Sequence, residues 1–318
     1  MPKALTDHQK RTLKVEEPKL RSACKAGDVP TAEHIIKVIQ SSFIDDRSHF
    51  RLLRAKNWYY EAILDSGRNH DARLGFEAIR KRAKIGTRVY LEATTFYGIC
   101  LLREGHIEKA KEIIKYVVSH ISTIRSDERR RQYEKRLIRR IEDECILSQL
   151  IGVNQGELIA SEVHLKSIEA VKKTEDEILE MIGEALPEPT QQVLNGVTDY
   201  SIKLLPREDQ KYLEGPTEKM PLKKLGKKAL VALKRIGWKT FCDESSEVFK
   251  MWSKRIPKVF NEGYFASSIV TSLASWRIGI PQLAVGLAAT AMKYSCHEFC
   301  ESFRPEGLMI PTNEKDNK

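Results

Sequence analysis

No proline occurs between Pro30 and Pro187, and so long a stretch without a helix breaker reads as a series of helices. Glycine is sparse as well, at 17 residues in 318, and no block alternates apolar and polar residues in the manner of a half-buried strand. Together these absences predict an all-α fold. Long apolar runs are also missing. The two most apolar stretches, 264–276 and 278–292, are separated by Arg277, Gly279 and Pro281, and each is shorter than the roughly 20 residues that cross a hydrocarbon core. Over 264–292 they predict a helical hairpin rich in small residues, either packed in a core or inserted partway into a membrane.

The opening residues MPKALTDHQKRTLK hold no apolar segment of the secretory type. The 6 cysteines are scattered, which suggests a reducing compartment and a cytoplasmic protein. No P-loop, dinucleotide fingerprint, HExxH, GxSxG or DxDxDG loop is present, so no catalytic residue and no cofactor is assigned. Cys296, His297 and Cys300 are the one cluster with metal-ligand residue types, and no second matched pair accompanies it, though Cys242 could fold near. A structural zinc needs four ligands from matched pairs, so no metal is assigned and the thiols read as core residues.

Positive charge is present and concentrated. Residues 219–241, KMPLKKLGKKALVALKRIGWKTF, hold eight Lys or Arg and no acid, which is +8 of the formal net charge of +10. At helical spacing Leu222, Leu225, Ala229, Leu230, Ala232, Leu233 and Ile236 fall on one arc. Lys223, Lys224, Lys227, Lys228, Lys234, Arg235 and Lys239 fill the opposite one, and Val231 and Trp238 stand outside the pattern. Pro221 suits a first helical turn and Gly237 a terminator, which predicts a helix of about four turns. The lysine face, with Trp238, is the candidate surface for an anion or lipid. The segment 174–189, TEDEILEMIGEALPEP, has six acids and no base; it either pairs with the basic helix or stands as a solvated helix before a linker.

Between residues 16 and 120 a spacing recurs. Gly27, Gly67 and Gly105 are each followed five residues later by Ala32, Ala72 and Ala110. Large residues then follow at Ile36, Phe76 and Ile114, and again at Ile39, Ile79 and Val117. A glycine for a tight turn, an alanine for close approach and large residues on an inward face are the pattern of stacked helical hairpins. The stretch resembles the tetratricopeptide repeat family, best in ICLLREGHIEKAKEIIKYVV with Gly98 at the small position of the first helix. Tyr60 and Leu20 stand there in the other copies, the family's Trp is absent and no Pro closes a repeat. The resemblance implies a concave surface that holds a partner peptide or helix. Its ligand-facing positions would be Arg54, Asn57, Glu61, Glu92, Thr95 and Arg103, which otherwise are ordinary solvated helix positions.

From His106 to Ile151 the helical stripe continues, and the mixed charges of 125–144 read as a solvated face laced with i,i+4 pairs. Prolines cluster from Pro187 to Pro221, which places a boundary between a repeat-like domain with a long helix, 1–186, and a helical domain, 187–318. A short helix is expected over Ser245–Ile256, and a polar, frayed tail from Pro305. Three functions follow as expectations: first a non-catalytic interaction or adaptor protein with a protein partner, then a membrane-surface or membrane-perturbing effector using 219–294, then sequence-nonspecific nucleic-acid binding.

Overall fold

The structure is a computed structural model that describes residues 4–192, 194, 207, 211, 220–242, 246–256, 263–302, 304, 305 and 307–309. Among these residues it is all-helical, and its one β contact is an isolated parallel bridge between Asn154 and Gly279. Two compact units are present: 1–138 with 203–213 and 306–318, and 139–202 with 214–305. The division expected at 186/187 falls inside the second unit, because helices from either side of it pack together there.

The first unit contains α1 (Asp7–Ala26), α2 (Val29–Ser41), α3 (Phe50–Asp65), α4 (Asn69–Arg82), α5 (Arg88–Arg103) and α6 (Ile107–Ser119), each packed on the next. It also takes the first half of α7 (Asp127–Leu150). The recurrent glycines do what their spacing predicts. Gly27, Gly67 and Gly105 have φ of 75°, 87° and 78°, a region where a side chain is strained. The same backbone bonds repeat at all three turns. Asp28, Arg68 and His106 donate to Ala23, Ile63 and Leu101, while Ala32, Ala72 and Ala110 donate to Asp28, Arg68 and His106. All three alanines are fully buried.

The departure at Tyr60 is compensated on the facing helix. A Cβ placed on Gly75 would overlap the Tyr60 ring, whereas one on Gly98 would lie 2.9 Å from Ile113. Positions 60 and 75 are separated by the same interval as 98 and 113. The large residue has therefore changed sides: Tyr60 faces Gly75 in one hairpin, and Gly98 faces Ile113 in the next.

The second unit takes the rest of α7 with α8 (Ala160–Val171), α9 (Glu175–Glu184), α10 (Leu222–Cys242), α11 (Glu247–Ser253), α12 (Tyr264–Ser275), α13 (Pro281–Lys293) and α14 (Cys296–Ser302). α10 is the basic helix, and α9 is its most extensive neighbour. The two cross at Gly183 and Gly226, where a Cβ on either would overlap a backbone carbonyl of the other helix, that of Leu222 or Leu179. Leu225, Ala229, Leu230, Ala232, Leu233 and Ile236 are buried in the same core as Phe265, Ile269, Leu273, Leu283 and Leu287 of α12 and α13. Leu222 departs from the expected arc and is exposed.

The apolar hairpin is thus a core element: α13 packs on α8 and α9, and α12 on α8 and α10. No helix among the described residues is long and apolar enough to cross a membrane. The turn at 152–156 docks on the hairpin's bend. Gly152 donates to Arg277, Gly279 to Val153 and Gln155 to Gly279.

Three local expectations are corrected. Gly237 does not end α10, because the following turn is held on: Phe241 stacks on Phe265 and the Trp238 indole N–H donates to the Cys300 carbonyl at 3.2 Å. The mixed-charge part of α7 carries the expected i,i+4 pairs, Arg130 with Glu134 and Arg140 with Glu144, but is a solvated face only in part: Asp127, Glu128, Arg129, Lys135 and Arg139 are exposed. Glu134, Arg140, Glu142, Asp143 and Glu144 are buried, a state that requires partners. The tail is not wholly frayed, since Leu308 and Met309 are buried in the first unit, at 1% and 8% exposure.

Candidate functional site

The face of α3 and α5 expected to hold a ligand is covered by the chain itself. Asn57, Glu61, Glu92 and Thr95 are all buried. Thr95 Oγ1 donates to the Leu91 carbonyl at 3.0 Å and lies 3.0 Å from the Tyr133 hydroxyl of α7. Burial raises the Tyr133 phenol well above its ordinary range, with Glu92 adding to the effect. Glu92 receives the Arg88 Nε at 2.7 Å, and its own carboxyl is pushed up by burial against the pull of Arg88 and Arg54.

Glu61 is the centre of the site. Its Oε1 accepts the Leu308 backbone N–H at 2.6 Å and its Oε2 the Met309 N–H at 3.2 Å. The Arg136 Nε of α7 donates to the Leu308 carbonyl at 3.2 Å. One carboxylate and one guanidinium therefore hold three backbone groups of a two-residue segment. Cys24 lies beside this site, its thiol pushed up to about 12 first by burial and then by the Glu61 charge. It stays a neutral thiol at pH 7.

The other expected positions do different things. Arg54 stacks on the Trp58 ring at 4.9 Å, which is packing on the outside of α3. Arg103 donates from Nη1 to the Leu64 carbonyl at 2.6 Å, closing the C-terminal end of α3. Asn57 donates from Nδ2 to the Val89 carbonyl at 3.2 Å, tying α3 to the start of α5, and its Oδ1 is buried with no partner. Of the six residues, the structure makes Glu61 a segment contact and gives Arg54, Asn57 and Arg103 packing or backbone roles. Arg136, Tyr133, Leu308 and Met309 were not anticipated. The only hint was GLMI, an apolar island in a polar tail.

The cationic face of α10 is largely engaged within its own unit. Lys223 pairs with Asp176 at 2.5 Å, Lys228 with Glu142 at 2.6 Å and Arg235 with Asp143 at 2.7 Å. The pairing of acidic helix and basic helix, one of two readings of 174–189, is thus present at Asp176. Lys234 is not on a solvated face but buried at 5% exposure, and burial draws its amine down to about 7. Arg304 stacks over Trp238 at 5.3 Å. Lys224 is half-buried and Lys227 exposed, while the Lys239 side chain lies outside the described residues.

The Cys296, His297, Cys300 cluster with Cys242 takes a different form from a metal site. Cys242 and Cys300 form a disulfide that joins the end of α10 to α14, and the exposed His297 faces Glu301 at 3.5 Å. No group of three metal-binding side chains occurs among the described residues. The disulfide weakens the premise of the reducing-compartment expectation, because two of the cysteines are paired while Cys24, Cys100, Cys145 and Cys296 remain thiols.

These features define an all-helical protein with a backbone-holding site on its first unit. Comparison with protein-family models, curated proteins and solved structures finds no match for this chain.

Proposed function

We propose that this chain is a non-catalytic protein-binding scaffold whose first unit holds a short segment of polypeptide against α3 and α7, in the manner expected of tetratricopeptide-like hairpins. The observation that carries this reading is the Glu61 carboxylate accepting two successive backbone N–H groups while Arg136 holds the carbonyl between them. Contacts of this type read polypeptide as such, and charged partners make them roughly twice as strong as neutral hydrogen bonds. Three hairpin turns with identical backbone bonding supply a rigid frame. The membrane and nucleic-acid readings draw little support, since Lys223, Lys228 and Arg235 already face carboxylates and the apolar arc of α10 is in the core.

The test is affinity capture from the native host with the full chain and with Glu61→Gln/Arg136→Gln. Proteins retained by the wild type and lost by the variant support the scaffold reading. An identical set on both chains, with the variant still folded, overturns it.

A further inference from the structure

The residue pair held by Glu61 has a conformation that defines a ligand class. In a strand, successive N–H groups point to opposite sides. Leu308 and Met309 instead present theirs to the same carboxylate, so the segment is bent there, and two successive N–H groups converging on one anion form a backbone nest. Here the anion is a protein side chain. Beyond the backbone, the site buries the two large side chains of the bend, Leu308 and Met309.

We propose that residues 307–309 are an internal occupant of an exchangeable site, and that the partner's ligand is a bend of the same chemistry: glycine followed by two large apolar residues. This rests on the scaffold reading above. Three observations support exchange. The polar contacts are all to backbone, so a segment of another chain with the same bend can replace them bond for bond. With the segment in place Glu61 is 5% exposed and its carboxylate accepts both N–H groups, so a replacing segment is selected for two converging backbone donors. Asn57 stands four residues before Glu61 on α3, the spacing of one helix face, and its Oδ1 has no partner with the internal segment in place.

The experiment uses the full chain and a fluorescein-labelled synthetic peptide, RPEGLMI, covering residues 304–310. Anisotropy is read on the wild type and on Leu308→Asp/Met309→Asp, in which the internal segment is expelled by two buried charges. The expected result is binding to the expelled-segment chain about tenfold or more tighter than to the wild type. Adding Glu61→Gln should then weaken binding about tenfold, the loss of one charged acceptor. Helicity and thermal unfolding verify each chain, and Leu308→Ala/Met309→Ala is the milder expulsion if the Asp pair unfolds. Equal binding to both chains, insensitivity to Glu61, or no binding by a folded variant overturns the proposal. Peptide failure with Glu61-dependent protein capture intact rejects this occupant and leaves the scaffold reading; peptide binding without such capture does the reverse.

Discussion

Asp143 of α7 and Arg235 of α10 form an ion pair at 2.7 Å with side chains only 7% and 6% exposed. Burial pushes the Asp143 carboxyl up, and the Arg235 guanidinium opposes that shift. A pair this buried holds ionised chiefly because each charge answers the other. Asp143→Asn removes one of them and is expected to cost about 3–5 kcal/mol. Asp143→Leu with Arg235→Met should recover most of that loss. Thermal unfolding of the three chains checks both statements, and a mild effect for the single change would mean that the arginine reaches water.

Lys234 gives the second unit a pH dependence of definite sign. Burial draws its amine down to about 7 in the fold from an ordinary value of 10.5, so between those values the unfolded chain binds more protons. Stability therefore rises as pH increases from about 7 to about 10.5, and below about 7 the full cost of burying the charge is present. At about 1.4 kcal/mol per pH unit the effect reaches the order of 5 kcal/mol. Lys234→Met should abolish this slope and stabilise the chain at neutral pH. Urea unfolding from pH 6 to 10 decides, and parallel profiles for the two chains would contradict the burial of the amine.

Tyr60 and Gly75 predict a coupling that neither residue shows alone. Gly75→Ala drives a methyl into the Tyr60 ring and should cost about 1–3 kcal/mol, the range for overpacking. Tyr60→Ala removes a half-buried ring and should cost about 2 kcal/mol. Together the changes should cost less than their sum, by about 1 kcal/mol or more, because the methyl enters space that the ring has vacated. Strict additivity in the double-mutant cycle would mean that the two sites do not share a volume.

The Cys242–Cys300 disulfide spans a sequence separation of 58, and closing a loop of that size restricts the unfolded chain by about 2–4 kcal/mol. Reduction should lower the unfolding midpoint of the second unit, and Cys242→Ser/Cys300→Ser should reproduce the reduced value without further loss. Mass spectrometry of alkylated protein reports the bond directly. Alkylation of all 6 cysteines without added reductant would show that the bond does not form.

How much of this was legible follows from range and environment. The hairpin turns were legible because the requirement is local: a positive φ selects Gly27, Gly67 and Gly105, and close approach selects the alanines. The apolar arc of α10 was legible for the same reason, as Leu225, Leu233 and Ile236 recur at helical spacing and are buried. Its charged face was misread at Lys234 and Arg235, since periodicity tells which side a residue faces but not what packs there. Asp143 and Arg235 are 92 positions apart, and Leu308 is 247 from Glu61. Neither spacing leaves a trace in the sequence. Gly237 misled because a glycine within a helix is tolerated when the next turn is held by tertiary contacts, here those of Phe241 and Trp238.

The most direct test of the central claim is amide hydrogen exchange at Leu308 and Met309 in the full chain, resolved by NMR and compared with Glu61→Gln. If Glu61 holds both amides, they exchange about a hundredfold or more slower than an unstructured segment, and Glu61→Gln removes about tenfold of that protection while α1 to α6 keep theirs. Exchange at the unstructured rate in the wild type, or protection indifferent to Glu61, would contradict it.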